Sequence, residues 1–169
     1  MAAAVAVMGM FVLASPAGAS APTAVTVPIT LNYAATFAVT PGVPSPCAGV
    51  PITDTATGAG SHLGRFTATY PHCVSFAANT FSGTATFTAA NGDLLLVFLE
   101  GSADDPTCTT TCAVSFTTGT IMGGTGRFEG AEGTLTGTGT VDLGASTITA
   151  AFEGTINKEP KPFSWWSLR

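Results

Sequence analysis

The sequence predicts an all-β protein: a single antiparallel β-barrel of about eight strands, following an N-terminal signal peptide. Three observations predict it. First, the 169 residues include 29 Thr and 20 Gly; Thr is β-branched and favours strands, and Gly punctuates them. Second, short segments alternate apolar residues with Thr at a period of two, the spacing of a strand with one buried face. Third, no segment sustains a helical period. Only 9% of residues are charged and 46% are hydrophobic, which excludes a charge-driven disordered chain. The net charge is −5 with no run of Lys or Arg, which argues against a nucleic-acid partner.

Strands are expected along the chain in order. Residues 24–40 alternate loosely and read as one or two strands. Residues 41–51, PGVPSPCAGVP, hold four Pro and two Gly and read as loop. Further strands are expected near 52–59, 64–71, 80–90, 93–101, 113–122, 133–142 and 145–156. Asn91-Gly92 sits between two of them as a hairpin signal of the type I′ kind, and Asp142-Leu143-Gly144 serves the last hairpin less clearly. On 80–89, Phe81, Gly83, Ala85, Phe87 and Ala89 oppose Ser82, Thr84, Thr86 and Thr88. On 134–142, Leu135, Gly137, Gly139 and Val141 oppose Thr134, Thr136, Thr138 and Thr140. Ile148, Ala150 and Phe152 oppose Thr147, Thr149 and Glu153. Closing such a sheet buries the apolar side and removes its edges. Gly137 and Gly139 leave inner space, for a cavity or for Phe rings.

Residues 94–99, LLLVFL, are apolar on both faces, so the outer one calls for a cover. A second subunit (a homo-oligomer through this strand) or the C-terminal tail with Trp165 and Trp166 would provide it.

Residues 2–14 form an uncharged run of 13 residues, short of the roughly 20 that span a bilayer. Ala17-Gly18-Ala19 follows as a cleavage pattern, with Ser20 the first mature residue. The expected organisation is a signal peptide at 1–19, a barrel domain at 20–157 and a tail at 158–169. The mature protein is expected to be secreted and free of the membrane. Four cysteines in an exported chain suggest two disulfides, with three pairings open. Cys108 and Cys112 flank three Thr residues and suit a local staple, after which Cys47 would join Cys73.

Candidate chemistry is sparse. There is no C-x-x-C, and His62 and His72 sit in no ligand-like pattern, so no metal is expected. Asp104-Asp105 makes a poor calcium site. The glycines of 123–133 match no phosphate loop and precede no helix. A threonine ice-binding face would need flat ladders, which a twisted barrel does not offer. Arg65 and Arg127 each sit in a Gly-Arg-Phe tripeptide. In a chain this poor in charge, each is expected to pair with one of Glu100, Glu129, Glu132 or Glu153. The structural reading is an ion pair at a barrel end with the guanidinium stacked on the adjacent Phe. The functional one is an anion or carbonyl clamp by Arg65 and Arg127 at a pocket mouth, with Tyr70, His62 and Glu100 as further candidates there.

Residues Gly123-Gly124-Thr125-Gly126-Arg127-Phe128-Glu129-Gly130-Ala131-Glu132-Gly133 resemble the GGTG-(K/R)-F-x-x-A-x-G stretch of dirigent proteins and their relatives in the allene oxide cyclase barrel superfamily. There too the stretch lies between two late strands. Ser61-His62-Leu63-Gly64-Arg65-Phe66 is similar to a segment of small exported bacterial barrels of this type. The resemblance implies an eight-stranded antiparallel barrel, often oligomeric, working without metal or organic cofactor. Members hold a reactive apolar small molecule in the barrel and guide its ring closure or coupling. No catalytic residue carries over, because nothing outside the glycine-rich segment matches. With no catalytic set marked, the leading expectation is a non-catalytic module that binds an apolar small molecule or serves at a surface. A cofactor-free cyclase or coupling guide is the alternative, and a structural protein with a filled barrel the third reading.

Overall fold

The computed structural model describes residues 24–158. The expected signal peptide and most of the expected tail lie outside them. Eight strands follow one another: β1 (Val25–Val39), β2 (Val50–Gly60), β3 (Gly64–Ser75), β4 (Thr80–Ala89), β5 (Leu94–Ala103), β6 (Thr111–Gly124), β7 (Glu132–Asp142) and β8 (Thr147–Lys158). Each pairs antiparallel with the next, and β8 pairs with β1 to close the barrel. Residues 24–40, open to either reading from sequence, form one strand.

The Thr alternation sets which way each strand faces. On β4, Ala85, Phe87 and Ala89 are buried; on β8, Ile148, Ala150, Phe152 and Ile156 are. Their Thr neighbours line the outside. β6 carries a bulge between Phe116 and Gly119, where Thr117 and Thr118 both face out. The extra residue restores the alternation, so both Phe116 and Gly119 point inward. Inner glycines make room for rings. A Cβ at Gly137 would stand 2.5 Å from the Phe152 ring, so this glycine serves ring packing.

The β4–β5 hairpin corrects the expected turn. Only Gly92 has a positive φ, 87°, whereas a type I′ turn needs two such residues. Gly92 N–H donates to the Ala89 carbonyl and Ala89 N–H to the Asp93 carbonyl. This is a type I turn closed by a left-handed glycine, a three-residue loop. Asn91 instead spends its side chain: Nδ2 donates to Asp93 at 2.8 Å, and Oδ1 accepts from Arg127 at 2.8 Å.

The two barrel ends differ. At one end lie the β2–β3, β4–β5 and β6–β7 turns. Leu63 and Phe128 plug it, and Phe128 is fully buried at the end of a short 3-10 turn, Gly126–Phe128. Leu31, Phe66, Phe87, Leu95 and Leu135 fill the barrel. The other end, with the 40–49, 76–79, 104–110 and 143–146 connections, is hollow inside.

Outside, Leu94, Leu96 and Phe98 are half-buried. Leu94, Leu96 and Phe98 pair with Thr88, Thr86 and Thr84 of β4, and Phe98 also with Thr120 of β6. The Thr methyl groups therefore give the apolar row part of its cover.

Candidate functional site

The hollow end holds a cavity of about 170 Å³ reaching the surface. Its walls are apolar and aromatic, with Phe37, Phe76, Phe81 and Phe116 among them; Asp54, Tyr70 and His72 supply the buried polar groups. Strand parity puts them there. Ile52, Asp54 and Ala56 share the inner face of β2, opposite Thr53, Thr55 and Thr57. On β3, Phe66, Ala68, Tyr70 and His72 share the inner face. Asp54 pairs directly with Tyr70, and His72 lies one step nearer the mouth. Gly83 across on β4 has no side chain; a Cβ there would stand 2.7 Å from that of His72.

The rings form a continuous contact around the interior. Tyr70 stacks on His72 with centroids 4.3 Å apart, and His72 meets Phe81 edge-on at 6.1 Å. Phe81 meets Phe116 at 5.1 Å, Phe116 meets Phe152 at 4.7 Å, and Phe152 stacks on Tyr33 at 5.7 Å. Such pairs add stability beyond their burial. The Tyr70 hydroxyl donates to the Leu99 carbonyl at 3.2 Å. The Tyr33 hydroxyl is buried without a partner among the described residues.

Asp54 is the unusual group. It is 3% exposed, and no described residue gives its carboxyl a hydrogen bond. Its nearest charged-type neighbour is His72 Nδ1 at 4.0 Å, too far to be one. Burial pushes the Asp54 carboxyl up to about 7. Burial also lowers His72, against the raising effect of its bond to the Tyr70 carbonyl. Both shifts favour the neutral forms of the pair. Nδ1 lies 3.0 Å from the Tyr70 carbonyl. A carbonyl only accepts, so Nδ1 carries the proton and Nε2 keeps a free lone pair. Burial first, and then the charge of Asp54, raise the Tyr33 hydroxyl; Tyr70 is raised by burial, Tyr33, Asp54 and Glu100 in that order.

The structure separates the sequence candidates. Tyr70 lines the cavity. Arg65 and Glu100 are exposed on the outer faces of β3 and β5. His62 is in the turn at the plugged end, with φ 65°, and its Nε2 donates to the Pro28 carbonyl at 3.0 Å. Arg127 is at that end too. Its Nε lies 3.1 Å from Asp93, not from any of the four expected glutamates, because the β4–β5 turn brings Asp93 against it. Its guanidinium stands 5.4 Å from the Phe128 ring centre. The glycine-rich segment thus caps the plugged end, and the five candidates do not converge. Asp54 and His72 are the groups that sequence reasoning passed over. The signal was available: each falls on the apolar parity of its strand, whereas Arg65 shares the outer parity of Thr67 and Thr69. Among the described residues, no group of three or more His, Cys, Asp or Glu could hold a metal ion.

Two disulfides brace the cavity end: Cys47–Cys73 and Cys108–Cys112. They are the pairing that the spacing suggested. Both are compatible with an extracellular protein. Cys47–Cys73 closes a separation of 26 residues and Cys108–Cys112 one of 4. Loop-closure entropy then assigns about 3.5 kcal/mol to the first and about 2 kcal/mol to the second. Replacing both Cys47 and Cys73 by Ser is expected to lower the urea midpoint more than the same change at Cys108 and Cys112. The reverse order would show that the chain-entropy account fails here.

No protein-family model matches the chain, and no curated protein sequence is significantly similar to it. Solved structures do match. The pterocarpan synthase dirigent protein GePTS1 is 14% identical with a TM-score of 0.52, over 89% of this chain and 98% of its own. The pterocarpan synthase dirigent protein PsPTS1 is 11% identical with a TM-score of 0.51, over 83% of this chain and 99% of its own. At these identities the likeness concerns fold. With the closed eight-strand barrel, it shows that this chain shares the fold of these two dirigent proteins.

Proposed function

We propose that the protein is an exported binding module, of the bacterial kind the 61–66 segment resembles, that takes a compact, largely apolar small molecule into the open end of its barrel. The observation that carries this reading is the cavity itself: aromatic walls around a few convergent buried polar groups. Its volume, about 170 Å³, compares with an engineered cavity of about 150 Å³ that binds benzene. The ligand is therefore of roughly one-ring size. Both disulfides support an extracellular setting. Self-association through the Leu94–Leu96–Phe98 face belongs to the same proposal.

A second reading is favoured by Asp54. A carboxyl that is still protonated near neutrality is a proton donor beside a bound molecule. The solved relatives are named as pterocarpan synthases, and a cofactor-free cyclase or coupling guide would use such a donor.

Native mass spectrometry of the mature protein from a secreting host reads retained small molecules and subunit number together. The expected result is a one-ring-sized adduct, or uptake of added apolar dyes, that Ala103→Trp abolishes at the cavity wall while the fold persists. An empty wild-type protein that takes up no apolar dye would sink the binding reading. A monomer would remove the self-association.

A further inference from the structure

Resting on that binding reading, we infer that the molecule the cavity takes is a compact organic cation, an amine of one-ring size whose ammonium group is held by the Asp54 carboxylate and the free Nε2 of His72 against the aromatic wall.

The chemistry of the lining leads there. Its ionisable side chains are Asp54, Tyr70, His72 and Asp105, with no Lys or Arg. Such a site offers an anion no Lys or Arg charge. Asp105, at the mouth, is fully exposed, and bonds from the Thr107 side chain and backbone lower its pKa. It keeps its negative charge across the working range and draws cations toward the opening. Two of the buried polar groups of the lining are acceptors. His72 Nε2 is an acceptor because Nδ1 holds the ring proton. Asp54 is an acceptor once ionised. An ammonium group, with donors only, matches both. The faces and edges of Phe81, Phe116 and Tyr70 add the ring quadrupole that attracts organic cations.

The cost of burial favours the same ligand. A buried ion pair is expensive because both charges leave water. Here burial has already stripped the carboxyl of most of its solvent contact, and no described protein group donates to it. The groups packed against it give no counter-charge: β1 contributes Tyr33, and β3 contributes Tyr70 and His72. A bound cation supplies what the fold withholds. Below about pH 7 the Asp54 carboxyl holds a proton, which the incoming ammonium must displace. Binding therefore releases one proton to solvent in that range. Affinity rises by up to about tenfold for each pH unit gained below the carboxyl's pKa, then levels off.

Benzylammonium, benzyl alcohol and benzoate share one ring and differ in charge, so calorimetry with these three probes tests the inference. At pH 8 the expected order is benzylammonium about tenfold or more tighter than benzyl alcohol, which is a difference of about 1.4 kcal/mol, with benzoate weakest. Toward pH 5 the preference for the cation shrinks, and the heat of binding depends on the buffer's ionisation enthalpy as protons are released. Asp54→Asn should reduce the preference for benzylammonium over benzyl alcohol to within about threefold. Equal binding of benzylammonium and benzyl alcohol by the wild type at pH 8 would overturn the inference and leave the binding reading intact. An undiminished preference in Asp54→Asn would overturn it equally. Failure of all three probes and of apolar dyes to bind would instead remove the binding reading beneath it.

Discussion

Phe128→Ala should lower the unfolding free energy by about 3–5 kcal/mol. The ring is fully buried and, with Leu63, seals the plugged end of the barrel. Its removal subtracts the transfer energy of a benzyl group and leaves a void that rigid neighbours cannot fill. The backbone around it is pinned: Thr125 N–H donates to the Leu94 carbonyl at 2.9 Å, and Leu94 N–H donates to the Thr125 hydroxyl at 3.0 Å. Collapse onto the gap is therefore resisted. Arg127 and Lys158 lie over the ring, at 5.4 and 5.1 Å from its centre, and lose their packing surface too. The Arg127–Asp93 pair itself counts for little, about 1 kcal/mol or less, because the Arg127 side chain is 42% exposed and screened. Phe128→Leu keeps most of the volume and should cost less than about 1.5 kcal/mol. Urea unfolding followed by tryptophan-independent far-UV dichroism measures both. A loss below about 1 kcal/mol for the alanine variant would show that the plug does not seal that end.

The second large effect belongs to Asp54 and depends on pH. In the unfolded chain an aspartate titrates near 3.9, whereas in the fold burial pushes this one up to about 7. Between those values the native state holds the proton more tightly than the unfolded state does. Stability therefore falls as pH rises through that window and levels off above it. The shift of about three units corresponds to about 4 kcal/mol over the whole window. Asp54→Asn keeps the shape and removes the charge. It should match the wild type near pH 4 and exceed it by about 3–4 kcal/mol at pH 8. His72 works the other way: its lowered pKa makes protonation costly, so it destabilises the fold as pH falls below about 6.5. In Asp54→Asn this opposite slope should stand alone at the acid side. Urea midpoints at pH 4.5, 6 and 8 for both proteins decide the matter. Parallel curves would mean that Asp54 ionises as freely in the fold as outside it.

Strand order, closure and disulfide pairing were legible because each has a local signature. Thr at every second position of 134–140 can only lie on one face of a strand, and three Thr between two cysteines mark a loop. The turn at Asn91-Gly92 was legible in place but not in type, because Asn91 is committed to Asp93 and Arg127, a partner 36 positions away in sequence. The site was the least legible part. Searching for charge in a charge-poor chain led to Arg65, Glu100 and Arg127, which a solvated outer face and a capped end explain. Asp54 stands out because it breaks the pattern of its own face, and that shows only once the parity of β2 is fixed.

Both cystine bridges sit at the cavity end of the barrel and none at the plugged end: Cys108–Cys112 lines the cavity, and Cys47–Cys73 ties the 40–49 connection to the outer face of β3. The segments 40–49 and 104–110 at that end are thereby held close to one arrangement before the guest of the proposed binding reading would arrive. Ordering a mobile rim would subtract from affinity, and here that entropy is already lost during folding. Guest and empty forms should therefore differ little in backbone, and capture should proceed at a rate set by encounter rather than by rearrangement. Reduction of the bridges would act on residence time first, through a rim free to open.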